Sequence, residues 1–254
     1  MKTYGFRWTV SLIVIFGSVS CAANLEMQKQ QAKASRNLGE AYYRQGNYPS
    51  ALGELLKSET LYPGDPFLQN DLGLTYMAMG EMDLAVKHFK KALEIKPDYA
   101  PAINNLGTAY LNKKEWDTAI RYLKKVTENL LYATPQFALS NLGWAYYNKK
   151  EYALAEKFYL KALEIDPKFV NSLAGLGKTY TAMGRSSEAV ATLEKAVKDY
   201  PRLGQLYLDL ARAYTVSGEY KKALDAYEKA VELAPGSALA REAETEAQKI
   251  RRFR

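Results

Sequence analysis

The stretch Asn70 to Pro97, NDLGLTYMAMGEMDLAVKHFKKALEIKP, decides the fold. Apolar residues recur at helical spacing on both sides of Gly80, so it reads as two amphipathic helices joined by a turn. Gly73 in the first helix and Ala85 in the second are small enough for the two to approach closely. Tyr76 and Phe89 fill the wedge between them. Gly80 tolerates the positive φ that often follows a helix, and Pro97 ends the second helix.

The same pattern runs through the chain. Leu-Gly-x-x-Tyr occurs at Leu38-Gly39-Tyr42, Leu72-Gly73-Tyr76, Leu106-Gly107-Tyr110, Leu142-Gly143-Tyr146 and Leu176-Gly177-Tyr180, and a sixth copy, Leu210-Ala211-Tyr214, has Ala for Gly. The Leu positions are spaced 34, 34, 36, 34 and 34. Nine residues beyond each Tyr lies Ala51, Ala85, Ala119, Ala155, Ala189 or Ala223. Four further on is a bulky residue: Leu55, Phe89, Leu123, Tyr159, Leu193 or Tyr227. Pro63, Pro97, Pro167, Pro201 and Pro235 close five of the six units. No such unit can bury its apolar faces alone, so stacking is what stabilises the array.

The chain thus resembles an array of six tetratricopeptide repeats. The resemblance implies an all-α fold, an α-solenoid winding as a right-handed superhelix. The repeats are expected at 32–65, 66–99, 100–135, 136–169, 170–203 and 204–237. Residues 238–254 read as a capping helix and basic tail, with Ala238, Ala240, Ala243 and Ala247 facing the array and charges facing water. The spacing of 36 marks a two-residue insertion near Pro135. Either the third repeat's second helix runs longer or its exit loop is wider.

Residues 1–20 read as a signal peptide. Lys2 and Arg7 precede a nearly continuous apolar run, Trp8 to Phe16, and small residues follow it. The run is far short of the ~20 residues a membrane-spanning helix needs. Cys21, the single cysteine, sits where the small residues end, and so resembles the acylated cysteine of bacterial lipoproteins. Ser18 stands where such leaders usually carry Leu. The alternative is cleavage near Ser20 or Ala22, which releases a soluble periplasmic protein. Residues 21–31 are expected as a short linker. Removing the leader takes two cations and no acid, lowering the net charge from +7 to +5. Export makes nucleic acid a poor partner.

No catalytic constellation is present. One Cys leaves no internal disulfide and no Cys-rich zinc site. His88, the one histidine, is expected as a surface or half-exposed side chain of a second helix. No cofactor, metal or small-molecule substrate is expected, and the chain is not read as an enzyme.

In the repeat family the first helix of each pair lines a concave groove. Carried over, the first repeat offers Lys33, Arg36, Glu40, Tyr43 and Arg44. The expected partner-binding residues are Phe67, Asn70, Leu74 and Met77 of the second repeat, Asn104, Leu111 and Asn112 of the third, and Phe137, Trp144, Tyr147 and Asn148 of the fourth. Such an apolar and aromatic cluster suits a peptide or helix from a partner protein, and the Asn side chains suit its backbone. Asn37, Asp71, Asn105, Asn141 and Asp209 form a polar ladder read as scaffold.

Leader, repeat number and the lengthened junction Thr127 to Pro167, with Leu131-Tyr132 before the fourth repeat, together resemble the lipoproteins of type IV pilus biogenesis, the pilotins. That resemblance implies an anchor at Cys21 on the periplasmic face of the outer membrane. It also implies capture of secretin subunits and promotion of their assembly. The other reading is a general repeat scaffold serving another envelope assembly, in cell-wall or outer-membrane biogenesis.

Overall fold

A computed structural model describes residues 6–128 and 133–252, with side chains for residues 24–128 and 133–252. The described residues form thirteen helices and no strand. They divide into two compact units, Met1–Ala109 and Tyr110–Arg254.

The first unit holds α1 (Phe6–Arg44), α2 (Tyr48–Leu61), α3 (Pro66–Ala78), α4 (Met82–Ile95) and most of α5 (Ala100–Asn112). α1 packs on α2, α2 on α3 and α3 on α4. Leu55, Leu68 and Leu72 form a core flanked by Leu52 and Tyr76. A Leu so buried contributes about 1.5–3 kcal/mol. Close packing explains the Leu-Gly pair: a Cβ on Gly73 would lie 2.5 Å from the Phe89 ring. Asn47 caps α2 by accepting from the Ser50 amide at 3.3 Å. Asp65 caps α3 by accepting from the Phe67 amide at 2.8 Å, with Pro66 in its first turn.

The second unit holds the end of α5, α6 (Trp116–Thr127), α7 (Pro135–Asn148), α8 (Tyr152–Ile165), α9 (Val170–Ala182), α10 (Ser186–Asp199), α11 (Gly204–Val216), α12 (Tyr220–Leu233) and α13 (Ala238–Arg252). Each helix from α6 to α13 packs on the next. Tyr159 is buried between two repeats, against Gly143 and Gly175, and burial pushes its phenol pKa well up. α13 buries Ala240, Ala243, Ala247 and Ile250 and packs on α11 and α12.

Three features bear on the expectations. Residues 21–31, expected as a linker, are helical and continuous with the first repeat. They contain no Gly or Pro and are rich in Ala, Gln, Glu and Lys, all good helix formers. α6 does not run long: it has 12 residues, against 14 in α2, α4 and α8. The extra residues of the third repeat therefore fall in its exit, and the Leu131-Tyr132 pair lies outside the described residues. Finally, the turn within a repeat needs a positive φ even without glycine. Gly46, Gly80, Gly184 and Gly218 supply it in four repeats, and Lys114 (φ 59°) and Lys150 (φ 61°) adopt it in the other two.

Candidate functional site

The first helices of the repeats carry two surfaces of different chemistry, one in each unit. In the first unit Arg36 is the centre. Its guanidinium lies 2.9 Å from Asp65, where it also donates a hydrogen bond, and 3.8 Å from both Glu40 and Asp71. One mostly buried cation thus faces three carboxylates. Burial, and then the Glu40 carboxylate, push the Asp71 carboxyl up to about 7 despite Arg36. Arg36 also lies 5.4 Å from the centre of the Phe67 ring, with Lys96 at 5.5 Å. Tyr99 meets Phe67 edge-on at 5.1 Å. Beside the charges opens a cavity of about 290 Å³ lined by Glu40, Tyr43, Arg44, Leu55, Asp71, Leu74 and Thr75.

In the second unit the surface is aromatic. Trp144 is 39% exposed and meets Trp116 edge-on at 6.2 Å. One turn away Tyr147 is half-buried and pairs with Tyr152 at 5.7 Å. Phe137 is 45% exposed and packs edge-on against Phe169 at 4.9 Å. Each of these rings leans on another ring, and Phe137 and Trp144 remain exposed to solvent. Asn148 is exposed, and its Nδ2 donates to the Trp144 carbonyl at 2.8 Å. Asn112 is also exposed.

Burial corrects three of the expected groove residues. Leu111 is 1% exposed and belongs to the core. Asn70 is buried and accepts from Asn105 Nδ2 at 2.9 Å. Asn104 is buried, and its Oδ1 has no hydrogen-bond partner among the described residues. Phe67 is 43% exposed, and Leu74 and Met77 are partly exposed. The expectation for His88 is corrected too. It is buried, stacks on Tyr76 at 5.2 Å and shares a 2.8 Å hydrogen bond with Gln69. Gln69 Nε2 donates to Glu59 and to the Pro63 carbonyl. Its Oε1 therefore faces the ring, and His88 Nδ1 carries the proton that it donates. Burial lowers the imidazole pKa. This is a structural network.

The polar ladder is uneven. Asp209 is buried, accepts from Gln205 Nε2 at 3.1 Å, and lies 3.8 Å from both Lys178 and Arg212. Burial raises its pKa. Its charge reaches Tyr147, whose phenol pKa is raised by burial first, then by Tyr152 and Asp209. Asn37 is exposed. Sequence reasoning placed Asp65 nowhere and read Asp71 as scaffold. Their approach to Arg36 depends on the packing of α3 against α1, and no local motif signals it.

Stacked helix pairs with a solvent-facing row on the first helices define a protein-interaction scaffold. Family models described as tetratricopeptide repeat match residues 22–66 and 175–238, 67–131, 137–169 and 158–191. The chain belongs to the tetratricopeptide repeat family. Among solved structures it is similar to PilW, described as a widely conserved type IV pilus biogenesis factor. The TM-score is 0.77 at 21% identity, covering 83% of this chain and 97% of that one. It is similar also to PilF of Pseudomonas aeruginosa, with a TM-score of 0.73 at 20% identity, covering 86% and 99%. YrrB, a repeat protein described as having an unusual peptide-binding site, matches with a TM-score of 0.55 at 19% identity, covering 75% and 97%. At these identities the likeness is one of fold. No curated protein matches the chain in sequence.

Proposed function

We propose that this chain is a pilotin: an outer-membrane lipoprotein that binds secretin subunits and promotes their multimerisation during type IV pilus biogenesis. The observation that carries the reading is the match to PilW and PilF over almost the full length of both. The leader ending at Cys21 supports it from the sequence side. An acyl anchor at Cys21 holds the repeats at the inner face of the outer membrane, several acyl chains giving stable anchoring where one would not. The exposed rings of Phe137 and Trp144, with half-buried Tyr147 and exposed Asn148 beside them, grip an apolar segment of the secretin subunit. Anchoring raises the local concentration of captured subunits, and ring assembly follows from that.

The test is deletion of the chain followed by a count of heat-stable secretin multimers on a denaturing gel. Multimers should fall and monomer accumulate. Unchanged multimers with normal pili sink the reading and favour a scaffold for another envelope assembly. The anchor is tested apart from this. A Cys21→Ala variant should leave the outer-membrane fraction, and one that stays there refutes acylation.

A further inference from the structure

The cavity of the first unit is not part of the surface that the proposed function uses. Its walls are of two kinds. Tyr43, Leu55 and Leu74 give it apolar surface, and Glu40 and Asp71 bring carboxylates to the same space. At about 290 Å³ it holds far more than one water. Glu40 and Tyr43 are groove positions of the first repeat and Leu74 is one of the second. A partner segment lying along these helices therefore reaches it.

The charges around the cavity do not balance. Arg36 donates to Asp65 at 2.9 Å and stands 3.8 Å from both Glu40 and Asp71. Its Nε and the Asp71 Oδ2 are buried, and neither has a hydrogen-bond partner among the described residues. Arg44 meets Glu40 at 3.3 Å, but its side chain is exposed, where an ion pair contributes little. One mostly buried cation thus serves three carboxylates. The two that line the cavity, Glu40 and Asp71, repel each other, and this adds to burial in raising the Asp71 pKa to about 7. Below that pH a proton on Asp71 relieves the pair. Above it, a cation in the cavity would do the same.

We propose that this cavity binds a lysine side chain of a partner protein, with the ammonium group between Glu40 and Asp71 and the methylene stem along Leu55, Leu74 and the Tyr43 ring. Charge complementarity selects a cation. The apolar walls select an organic cation over a metal ion, matching the amphipathic build of lysine. Among the described residues no group of three His, Cys, Asp or Glu is arranged to hold a metal. Lysine suits the site better than arginine, because a compact ammonium turns its donors freely, whereas a guanidinium needs acceptors set in its own plane. This inference does not depend on the pilotin reading.

The probe is n-butylammonium, a lysine side chain without its backbone. In leucine-methyl NMR spectra of the full chain in detergent it should shift the Leu55 and Leu74 signals saturably. Pentanoate and 1-pentanol, of similar length but anionic and uncharged, should not. Affinity should rise at least threefold from pH 6 to pH 8, because the proton on Asp71 competes with the ammonium. Arg36, Glu40, Tyr43 and Tyr99 face Asp71, and the two phenols titrate above their usual range, outside this window. Asp71→Asn and Glu40→Gln should each weaken binding at least fivefold, and Asp71→Asn should also remove the pH dependence. No saturable shift with n-butylammonium, equal shifts with 1-pentanol, or unchanged affinity in both variants overturns the proposal. The comparison of the three probes uses the parent chain, so it stands if a variant folds poorly.

Discussion

The two units put their first helices to opposite uses. In the first unit the row of first helices gathers charge: Arg36 among Glu40, Asp65 and Asp71, beside a cavity that Tyr43, Leu55 and Leu74 help to line. In the second it gathers rings: Phe137, Trp144 and Tyr147, each leaning on another ring. The lesson concerns what each surface can spare. The charged set is mutually dependent, so removing one member unbalances the rest. In the aromatic set Phe137 and Trp144 remain exposed to solvent, so they can be lost to a partner's contacts without loss to the fold.

Four substitutions test that contrast. The largest effect is expected from Arg36→Ala, which leaves three carboxylates together without their cation. It should destabilise the first unit by about 2–4 kcal/mol, read as a lower midpoint in urea. A stable variant would mean that the cluster is more hydrated than its burial implies. Next, Trp144→Ala should weaken partner binding by about 2 kcal/mol, the scale of an interface hot spot, with far-UV circular dichroism unchanged. Loss of helicity would move Trp144 into the core and erase the distinction.

Asp71→Asn acts through pH. A carboxyl that titrates near 7 in the folded chain, against an ordinary 3.8, favours folding most below pH 4, and that contribution is lost as pH rises to 7. The variant should flatten the stability profile between those limits and gain on the order of 1 kcal/mol at pH 8. A profile unchanged from the parent would show that Asp71 is ionised throughout. The smallest effect belongs to Lys150→Gly, just beyond α7. It relieves a positive φ at a turn where four repeats use Gly, for a gain of about 0.5 kcal/mol after the entropy cost of Gly. The melting temperature should rise slightly and partner binding should not move.

The repeat count and the helix pairing were legible because the same constraint is written six times. Leu-Gly-x-x-Tyr with its distant Ala records a close approach of two helices, and Gly73 against Phe89 shows why no larger residue stands there. Exposure within the groove was less legible. Leu111 and Tyr147 hold equivalent places, yet one is core and the other half-exposed. Repeat position fixes the helix and its facing, but the size of neighbouring side chains fixes what solvent reaches. The charged cluster depends on residues 29 and 35 apart in sequence, and only packing brings them together. Residues 21–31 were read as a linker from polarity, where helix propensity was the stronger signal. The positive φ at Lys114 and Lys150 carries no residue signature at all; the repeat's geometry imposes it.

The buried network around His88 has a practical consequence. It is the sole histidine of the chain, so any imidazole signal of the protein belongs to it. With its ring stacked on Tyr76 and its Nδ1 proton given to Gln69, that signal reports on the junction of α2, α3 and α4. While the junction is closed it should titrate below the usual range. A return toward an ordinary imidazole titration would announce that the junction has opened, before any change in total helix content becomes measurable.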